Sequence, residues 1–373
     1  MIEVIRSGSH STIQDLGRVG YQKIGVPPSG AMDSFSFKCA NLLVGNNPND
    51  AGLEITLYGP ELLFEDDLAI AITGADLGPK INGDKVDNWK TIRVKSGDVL
   101  SFVGPSHGVR SYIAFSGGID EGTAPRILGS RSTYIPSGLG GINGRALCAG
   151  DKLGIGEPLR SDIVYRSLSS PPNFAEPVVL RVVCGPHDDM FSKNALDTLT
   201  GSEYTVALDS DRMGCRLDGP PLDHLDGADI ISDGNAFGAI QVPGDGLPII
   251  LLADRGTTGG YAKIATVISA DGILLGQLMP GSVVQFRTVT LDEALAARIA
   301  QEGLLMELMG EVDSRMHVVS DGSMLEVVRD DGEPLKYTHP TRKSYSLKVH
   351  HNSQEIDVEV QIGRHGDFES ERM

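Results

Sequence analysis

The stretch that best indicates the fold class is Leu68-Ala-Ile-Ala-Ile-Thr73, an apolar run that ends at Gly74. The same pattern returns in Ser111-Tyr-Ile-Ala-Phe115, before a Ser-Gly-Gly turn, and in Val178-Val-Leu-Arg-Val-Val183, before Cys-Gly-Pro. Short runs rich in Val, Ile and Thr that end at turn residues are typical of β-strands. The 46 glycines among 373 residues follow no Gly-X-Y period and form no low-complexity block, which excludes collagen and disorder. We therefore predict a mainly β fold with a few short helices.

Three stretches carry helix signals instead. The first runs from Asp33, a favourable N-cap residue, to Val44 and ends before a glycine. The second runs from Asp188 to Leu199, and the third opens with the capping box Thr290-Leu-Asp-Glu293. We predict a helix at each of the three.

The strand pattern recurs in two successive parts of the chain. Ser96-Gly-Asp-Val-Leu-Ser-Phe102 resembles Pro280-Gly-Ser-Val-Val-Gln-Phe286, and each would close one β unit. Between the units, Arg160 to Glu176 has the Ser- and Pro-rich composition of a linker. The predicted domains are 1–165, 175–305 and a C-terminal extension over 306–373, which contains a hairpin of Tyr345–His350 and Ile356–Ile362.

The chain is strongly acidic, with 50 acidic and 32 basic residues and a formal net charge of −18. Such a surface repels phosphate backbones and anionic lipids, which argues against nucleic-acid or membrane binding. The longest apolar stretches, such as Pro248 to Ala253, are too short to span a bilayer, and the N-terminus shows no secretory pattern. Its four cysteines form no CxxC pair, so we expect neither disulfides nor a metal site. A cytoplasmic protein is the expectation.

Four segments are denser in glycine and polar side chains than strands alone require. They are Thr12 to Asp33, Leu128 to Thr133, Ser210 to Arg216, and Gly238 to Tyr261. In Gly238 to Tyr261, Asp254 and Arg255 follow the end of an apolar strand. The Gly/Thr loop after them has N–H and hydroxyl groups that could bind an anion or a carbonyl oxygen. A strand-end salt bridge and a tight turn also explain these residues, and the residues alone favour that structural interpretation. Asp211-Arg212 allows the same two interpretations.

Several of these motifs occur in the same order as in the KipA/PxpC family, which the sequence resembles. That family includes the C subunit of 5-oxoprolinase and the carboxyltransferase domain of urea carboxylase. It is also labelled allophanate hydrolase subunit 2. The matching motifs are Thr12-Ile-Gln-Asp-Leu-Gly-Arg18, Gly25-Val-Pro-Pro-Ser-Gly-Ala-Met-Asp33, Ala40-Asn-Leu-Leu-Val-Gly45, Leu53-Glu-Ile-Thr56, Thr73-Gly-Ala-Asp76, Ser210-Asp-Arg-Met-Gly214 and Gln241 to Tyr261. The resemblance covers about residues 1–290. It implies two cyclophilin-like β-barrel subdomains and a KipI/PxpB-type partner subunit.

The resemblance also implies a function. We expect a subunit of an ATP-dependent 5-oxoprolinase, with ATP bound in the complex, a lactam-utilisation-type (PxpA-like) third subunit, and an active site shared with the partner. Two alternatives stay open: a carboxyltransferase that moves CO₂ from carboxybiotin to an amine such as urea, and a non-catalytic regulator that sequesters a kinase inhibitor. The chain lacks the Met-Lys-Met context of a biotinylated lysine, so no covalent biotin is expected, and it has no P-loop.

The candidate site residues follow from residue chemistry within these motifs. The candidate catalytic residues are Asp254, Asp211, Arg212 and Arg255, of which the arginines would stabilise a developing anion and an aspartate would handle a proton. The candidate substrate-binding residues are Gln241, Thr257, Thr258, Gly259, Gly260, Tyr261, Ser29 and Asp33.

Overall fold

The computed structural model describes residues 1–159, 165–168, 170–174 and 177–309 in full, together with the backbone of four strands beyond them. Residues 1–312 form one compact unit, and residues 313–373 form a second. The predicted boundaries at 165, 175 and 305 remain predictions. Within the first unit, we call residues 1–159 the first half and residues 177–288 the second half.

The first half consists of two β-sheets that share one apolar core. Its strands are β1 (Ile2–Arg6), β2 (His10–Gln14), β3 (Gly52–Thr56), β4 (Glu61–Phe64), β5 (Leu68–Asp76), β6 (Pro79–Ile81), β7 (Asp84–Lys85), β8 (Thr91–Val94), β9 (Val99–Phe102), β10 (His107–Phe115) and β11 (Lys152–Leu153). One sheet has the order β11-β1-β4-β9-β6-β7, and the other has the order β2-β3-β10-β5-β8. Side chains from both sheets form the core between them.

The apolar run that opens the sequence is strand β5, and its composition reflects burial on both faces. Ile70 and Ile72 lie in the core between the sheets, whereas Ala69 and Ala71 lie on the opposite face against helix α1 (Ser34–Leu43). Alternate side chains of a strand point to opposite faces, so a strand covered on both faces is apolar over most of its length. The small alanines let the helix lie close to the sheet.

Helix α1 forms where its end signals predict. The Asp33 carboxylate accepts a hydrogen bond from the Ser36 N–H at 2.9 Å, as an N-cap residue does. Gly45 follows the helix with φ of 78°, in the left-handed region that favours glycine. Both predicted ends are confirmed.

The second half is a closed β-barrel. Its strands are β12 (Val178–Cys184), β13 (Glu203–Val206), β14 (Gly214–Asp218), β15 (Asp229–Gly234), β16 (Ala239–Gln241), β17 (Ile249–Leu251), β18 (Thr258–Tyr261), β19 (Lys263–Val267) and β20 (Val283–Thr288). Seven of them close in the order β12-β19-β16-β17-β14-β13-β20, while β15 and β18 form a separate ribbon. The barrel closes through parallel pairing of β12 with β20, from Val178 opposite Val284 to Val182 opposite Thr288. The prediction of a mainly β, barrel-containing fold is confirmed.

The helix predicted from Asp188 to Leu199 is wrong as a single element. The structure has a 3₁₀ turn at Asp188–Met190 and then helix α2 (Ala195–Gly201). Between them Phe191 adopts an extended conformation, is buried in the barrel core and lies 4.7 Å from the His224 ring. Burial of this aromatic side chain therefore overrides the local helix signal.

The remaining helices follow the barrel. A short helix α3 (Gly272–Leu275) precedes β20, and α4 (Leu291–Met309) starts at the predicted capping box. The Thr290 N–H donates to Glu293 Oε2 at 2.7 Å, and the Glu293 N–H donates to Thr290 Oγ1 at 3.2 Å.

The second unit contains two antiparallel strand pairs. They are β21 (Met316–Ser320) with β22 (Leu325–Arg329), and β23 (Lys343–His351) with β24 (Gln354–Ile362). The second pair occupies the stretch predicted to be a hairpin, with Tyr345 opposite Val360.

Candidate active site

Three of the predicted site residues meet where the two halves of the first unit join. Arg212 Nε donates to Asp254 Oδ2 at 2.8 Å, and Arg212 Nη2 lies 3.2 Å from Asp254 Oδ1. The Ser29 hydroxyl donates to Asp254 Oδ1 at 2.6 Å. Arg212 also donates to the Gly30 carbonyl at 2.6 Å and to Glu54, which sequence analysis had not selected. We call these five residues the Arg212 network.

Two loops of the barrel bring Arg212 and Asp254 together. Asp211 accepts the N–H groups of Met213 at 2.7 Å and Gly214 at 3.1 Å, which fixes the turn before β14. The Asp254 N–H, just beyond β17, donates to the Arg212 carbonyl at 2.9 Å. Main-chain bonds thus fix the two loops, and the side chains add the ion pair.

Glu54 is the anionic residue that the first half contributes. It lies on β3 and is 1% exposed, with Oε2 accepting the Met32 N–H at 2.7 Å and the Tyr112 hydroxyl at 3.1 Å. Burial alone would raise the pKa of Glu54, but the charges of Arg212 and Arg110 outweigh it and hold the pKa below its usual value. The opposite holds for Arg212, where burial favours a lower pKa and the two carboxylates raise it. Glu54 and Arg212 are therefore ionised, and their ion pair ties the halves together.

A cavity of about 250 Å³ opens beside the network. It is lined by His10, Thr12, Gln14, Thr133, Ile135, Pro136, Asp211, Arg212, Met213 and Asp254. Burial lowers the pKa of His10, which favours a neutral imidazole able to donate and to accept. The lining combines carboxylates, a hydroxyl, an amide and an apolar wall, as small-molecule sites do.

Arg255 lies outside this lining. Its Nε donates to the Asn235 carbonyl at 2.9 Å and its Nη1 to the Leu252 carbonyl at 3.1 Å, and its guanidinium lies 5.9 Å from the centre of the Phe237 ring. These contacts hold the chain after β17. Asp254 and Arg255 thus have different partners, and the Asp254–Arg255 salt bridge that was the alternative interpretation does not form.

The predicted Gly/Thr loop is a strand rather than a loop. Thr258 to Tyr261 form β18, which pairs with β15 through Gly234–Thr258 and Asp233–Gly259, and Gly260 lies within the same strand. The Thr257 carbonyl accepts the Asn235 N–H at 3.0 Å. A Cβ at Gly259 would lie 2.3 Å from Gln241 Nε2, so any side chain at this position would require Gln241 to move.

Gln241 belongs to a second polar cluster within the barrel, and Asp33 belongs to helix α1. Gln241 Nε2 donates to Asn235 Oδ1 at 3.3 Å, and the buried Lys263 ammonium lies 3.9 Å from Asp233. Asp33 is fully buried as the cap of α1, and burial raises its pKa to about 7. Neither Gln241 nor Asp33 lines the cavity.

The site residues that sequence reasoning missed are His10, Thr12, Gln14 and Glu54. A charged residue inside Leu53-Glu-Ile-Thr56 was the available signal for Glu54, since an acidic side chain in an apolar strand needs a partner. The other three occupy alternate positions of β2 and therefore share one face. Over the fully described residues, no group of three or more His, Cys, Asp or Glu side chains is arranged to hold a metal ion. No helix in that part of the chain is both long and apolar enough to cross a membrane.

Comparisons with known proteins find relatives over most of the chain. Residues 24–288 match the family model "Carboxyltransferase domain, subdomain A and B". The chain is 37% identical to the C subunit of 5-oxoprolinase from Escherichia coli K12, over 83% of this chain and 97% of that protein. It is 34% identical to urea amidolyase of Lachancea kluyveri, over 93% of this chain but only 20% of that protein.

A solved structure extends the likeness to the fold. The crystal structure of Kluyveromyces lactis urea carboxylase aligns with a TM-score of 0.77 at 32% identity, covering 88% of this chain and 32% of that one. The chain therefore belongs to the carboxyltransferase-domain family that includes the C subunit of 5-oxoprolinase and the corresponding domain of urea carboxylase.

Proposed function

We propose that the chain is a subunit of an ATP-dependent 5-oxoprolinase, which opens the lactam of 5-oxo-L-proline to L-glutamate. The observation that carries the proposal is the extent of the match. The chain aligns with 97% of the C subunit of Escherichia coli 5-oxoprolinase, but with only a fifth of urea amidolyase. The activity of a whole urea amidolyase therefore extends beyond what this chain supplies.

The proposed reaction determines what the cavity must do. A lactam carbonyl is a poor electrophile, and ATP supplies its activation in the complex. The contribution of this chain is to hold the ring and to manage a proton near its nitrogen. Asp254 faces the cavity and is oriented by Arg212 and Ser29, so we assign it the proton or orientation role.

Arg212 acts through Asp254 in this proposal. Its Nε and both terminal nitrogens already donate to Asp254, Glu54 and Gly30. It is therefore a positioning residue rather than the cation that meets a developing anion. Asp211, whose carboxylate is used by its own turn, forms part of the cavity wall.

The triphosphate of ATP is proposed to bind outside this cavity. The lining contains two carboxylates, and its one arginine is committed to ion pairs, which is unsuited to a polyanion. We therefore assign phosphate binding to the other subunits. A KipI/PxpB-type partner would complete the site, and a PxpA-like subunit would complete the enzyme.

The test is Asp254→Asn in the assembled complex. We expect 5-oxoproline turnover to fall about 10²-fold or more, because the amide removes the proton acceptor but keeps the shape. Asp209→Asn is the matched control, since Asp209 lies on the same half but is 70% exposed. Thr258→Ala, on the ribbon, should have a mild effect. Near-normal turnover with Asp254→Asn would exclude the proton and orientation roles and leave Asp254 only its ion pair with Arg212.

A carboxyltransferase is the second candidate. The family model and the likeness to Kluyveromyces lactis urea carboxylase both favour it. It predicts carboxyl transfer from carboxybiotin to an amine by the complex, without 5-oxoproline turnover. Measuring both reactions with one preparation discriminates the candidates.

A further inference from the structure

The proposed function assigns no role to His10, which lines the cavity together with Asp254. His10 is partly exposed, and no hydrogen bond joins its ring to another described residue. Asp254, in contrast, accepts hydrogen bonds at both carboxylate oxygens, from Arg212 and from Ser29. The imidazole therefore has both of its ring nitrogens available to a bound molecule.

The strand register places His10 beside the Arg212 network. In the antiparallel pair β2–β3, Thr12 lies opposite Glu54. Side chains that lie opposite each other share one face of a sheet, and so do alternate residues along a strand. His10 and Glu54 therefore project from the same face, where Glu54 pairs with Arg212.

The surroundings of His10 keep its imidazole neutral. Burial has the largest influence and lowers the pKa of His10 from the ordinary value of 6.5. The carboxylates of Glu54 and Asp254 raise this pKa, while the guanidinium groups of Arg212 and Arg110 lower it further. These four charges come from β3, from β10 and from the two barrel loops. A neutral imidazole accepts a proton and can then return it, as a general base and acid does near pH 7.

Opening of a lactam ring requires such a proton carrier. With the amide oxygen phosphorylated by ATP, water bonds to the ring carbonyl carbon through an electron pair of its oxygen and must lose one proton. The carbon–nitrogen bond then breaks, its electron pair stays on nitrogen, and the nitrogen must gain a proton to leave as an amine. The new hydroxyl releases its remaining proton to solvent, and a second water displaces phosphate from the resulting acyl phosphate to give glutamate.

We propose that His10 carries the proton, taking it from the attacking water and giving it to the ring nitrogen. This inference rests on the proposed function and leaves Asp254 the orientation of the ring. His10 is neutral again at the end of each turnover, so the residue needs no outside proton donor or acceptor. General acid–base catalysis of this kind contributes about 10²–10⁴-fold to a rate.

The experiment measures turnover of 5-oxo-L-proline by the assembled complex at saturating ATP. His10→Gln should lower kcat about 10²-fold or more with little change in KM, because an amide forms hydrogen bonds but carries no proton near neutral pH. For the wild-type complex, kcat/KM should fall as pH falls through an apparent pKa below 6.5, since imidazolium accepts no proton, and His10→Gln should lose this limb. The matched control is His107→Gln, an exposed histidine of the same half that lies outside the cavity, and it should keep the wild-type profile.

Two further measurements separate proton transfer from packing. Imidazole added to His10→Ala should restore part of the turnover, whereas pyrazole, a ring of the same size but a far weaker base, should not. In an NMR titration of the purified chain, the one signal of its nine histidines that His10→Gln lacks should have a pKa below 6.5. A pKa above that value would overturn the inference, because the resting imidazole would already hold the proton it must accept.

The remaining outcomes separate this inference from the proposed function. Normal 5-oxoproline turnover by folded His10→Gln overturns the inference and leaves the function standing. Equal rescue by imidazole and pyrazole also overturns it, because the added ring would then only fill space. If neither variant folds, the wild-type profile decides: an acidic limb whose pKa depends strongly on temperature, as that of an imidazole does, supports the inference, and its absence overturns it. A wild-type complex that does not turn over 5-oxoproline overturns the function and this inference together.

Discussion

Replacing Arg212 by methionine tests whether the Arg212 network holds the two halves together. The Arg212 side chain is 13% exposed, and its partners Glu54 and Asp254 are 1% and 6% exposed. Arg212→Met keeps an apolar stem but leaves two buried carboxylates without their cation. Breaking a buried ion pair costs about 3–5 kcal/mol, because the remaining charge stays desolvated. At about 2–4 °C per kcal/mol, the value for domains of about 150–250 residues, the melting temperature of this larger chain should fall by up to roughly 6–20 °C.

Thermal and urea unfolding of the purified full chain measure this loss. Arg216→Met is the matched control, because Arg216 lies near the same loop but pairs with Asp209 at 54% and 70% side-chain exposure. Exposed pairs contribute little, so the control should remain close to wild type. Adding Glu54→Gln to Arg212→Met should restore part of the stability by removing one buried charge. If Arg212→Met unfolds no earlier than the control, the network is not what joins the halves.

Two further predictions concern pH and the C-terminal unit. Burial raises the Asp33 pKa to about 7 from 3.8, so between these values the folded state holds a proton that the unfolded state has lost. The free energy of unfolding should therefore fall as pH rises from about 4 to 7, and Asp33 should account for at most about 4 kcal/mol of that fall. Asp33→Asn should flatten this part of the pH profile measured by urea unfolding. An unchanged slope would contradict the prediction. A chain without residues 310–373 should still co-elute with the proposed partner on a sizing column, since the family match ends at residue 288. A truncated chain that is folded by circular dichroism but elutes alone would contradict this prediction.

Local signals predicted the elements whose stability is itself local. Helix α1 follows from Asp33 and Gly45, and helix α4 from the capping box at Thr290. The helix expected from Asp188 failed because Phe191 gains more from the barrel core than from a continuous helix. The glycines before Tyr261 predicted a loop, yet they lie in a strand, and Gly259 packs directly against the Gln241 side chain.

The candidate site was only partly accessible to sequence reasoning. Asp254, Arg212 and Ser29 were found because each lies in a dense polar motif. Glu54 was missed, because its partner Arg212 is 158 positions away and no local pattern joins them. His10 was missed because only three-dimensional packing places it on the cavity wall. Residue types indicate chemistry, but long-range pairing decides which residues share a cavity.

Closure of the barrel by β12 and β20 has a consequence for the chain during its synthesis. Thr288 lies 110 positions after Val178, and β19, the other neighbour of β12, ends only at Val267. Protein synthesis adds about 5–20 residues per second, so roughly 6–22 s pass between the synthesis of Val178 and that of Thr288, where the last partner strand of β12 ends. Until β19 has been made, Val178, Leu180 and Val182, which are buried in the finished barrel, have no neighbouring strand. Substitutions that weaken the pairing of β12 should therefore reduce soluble yield through aggregation of nascent chains, even where the completed protein melts normally.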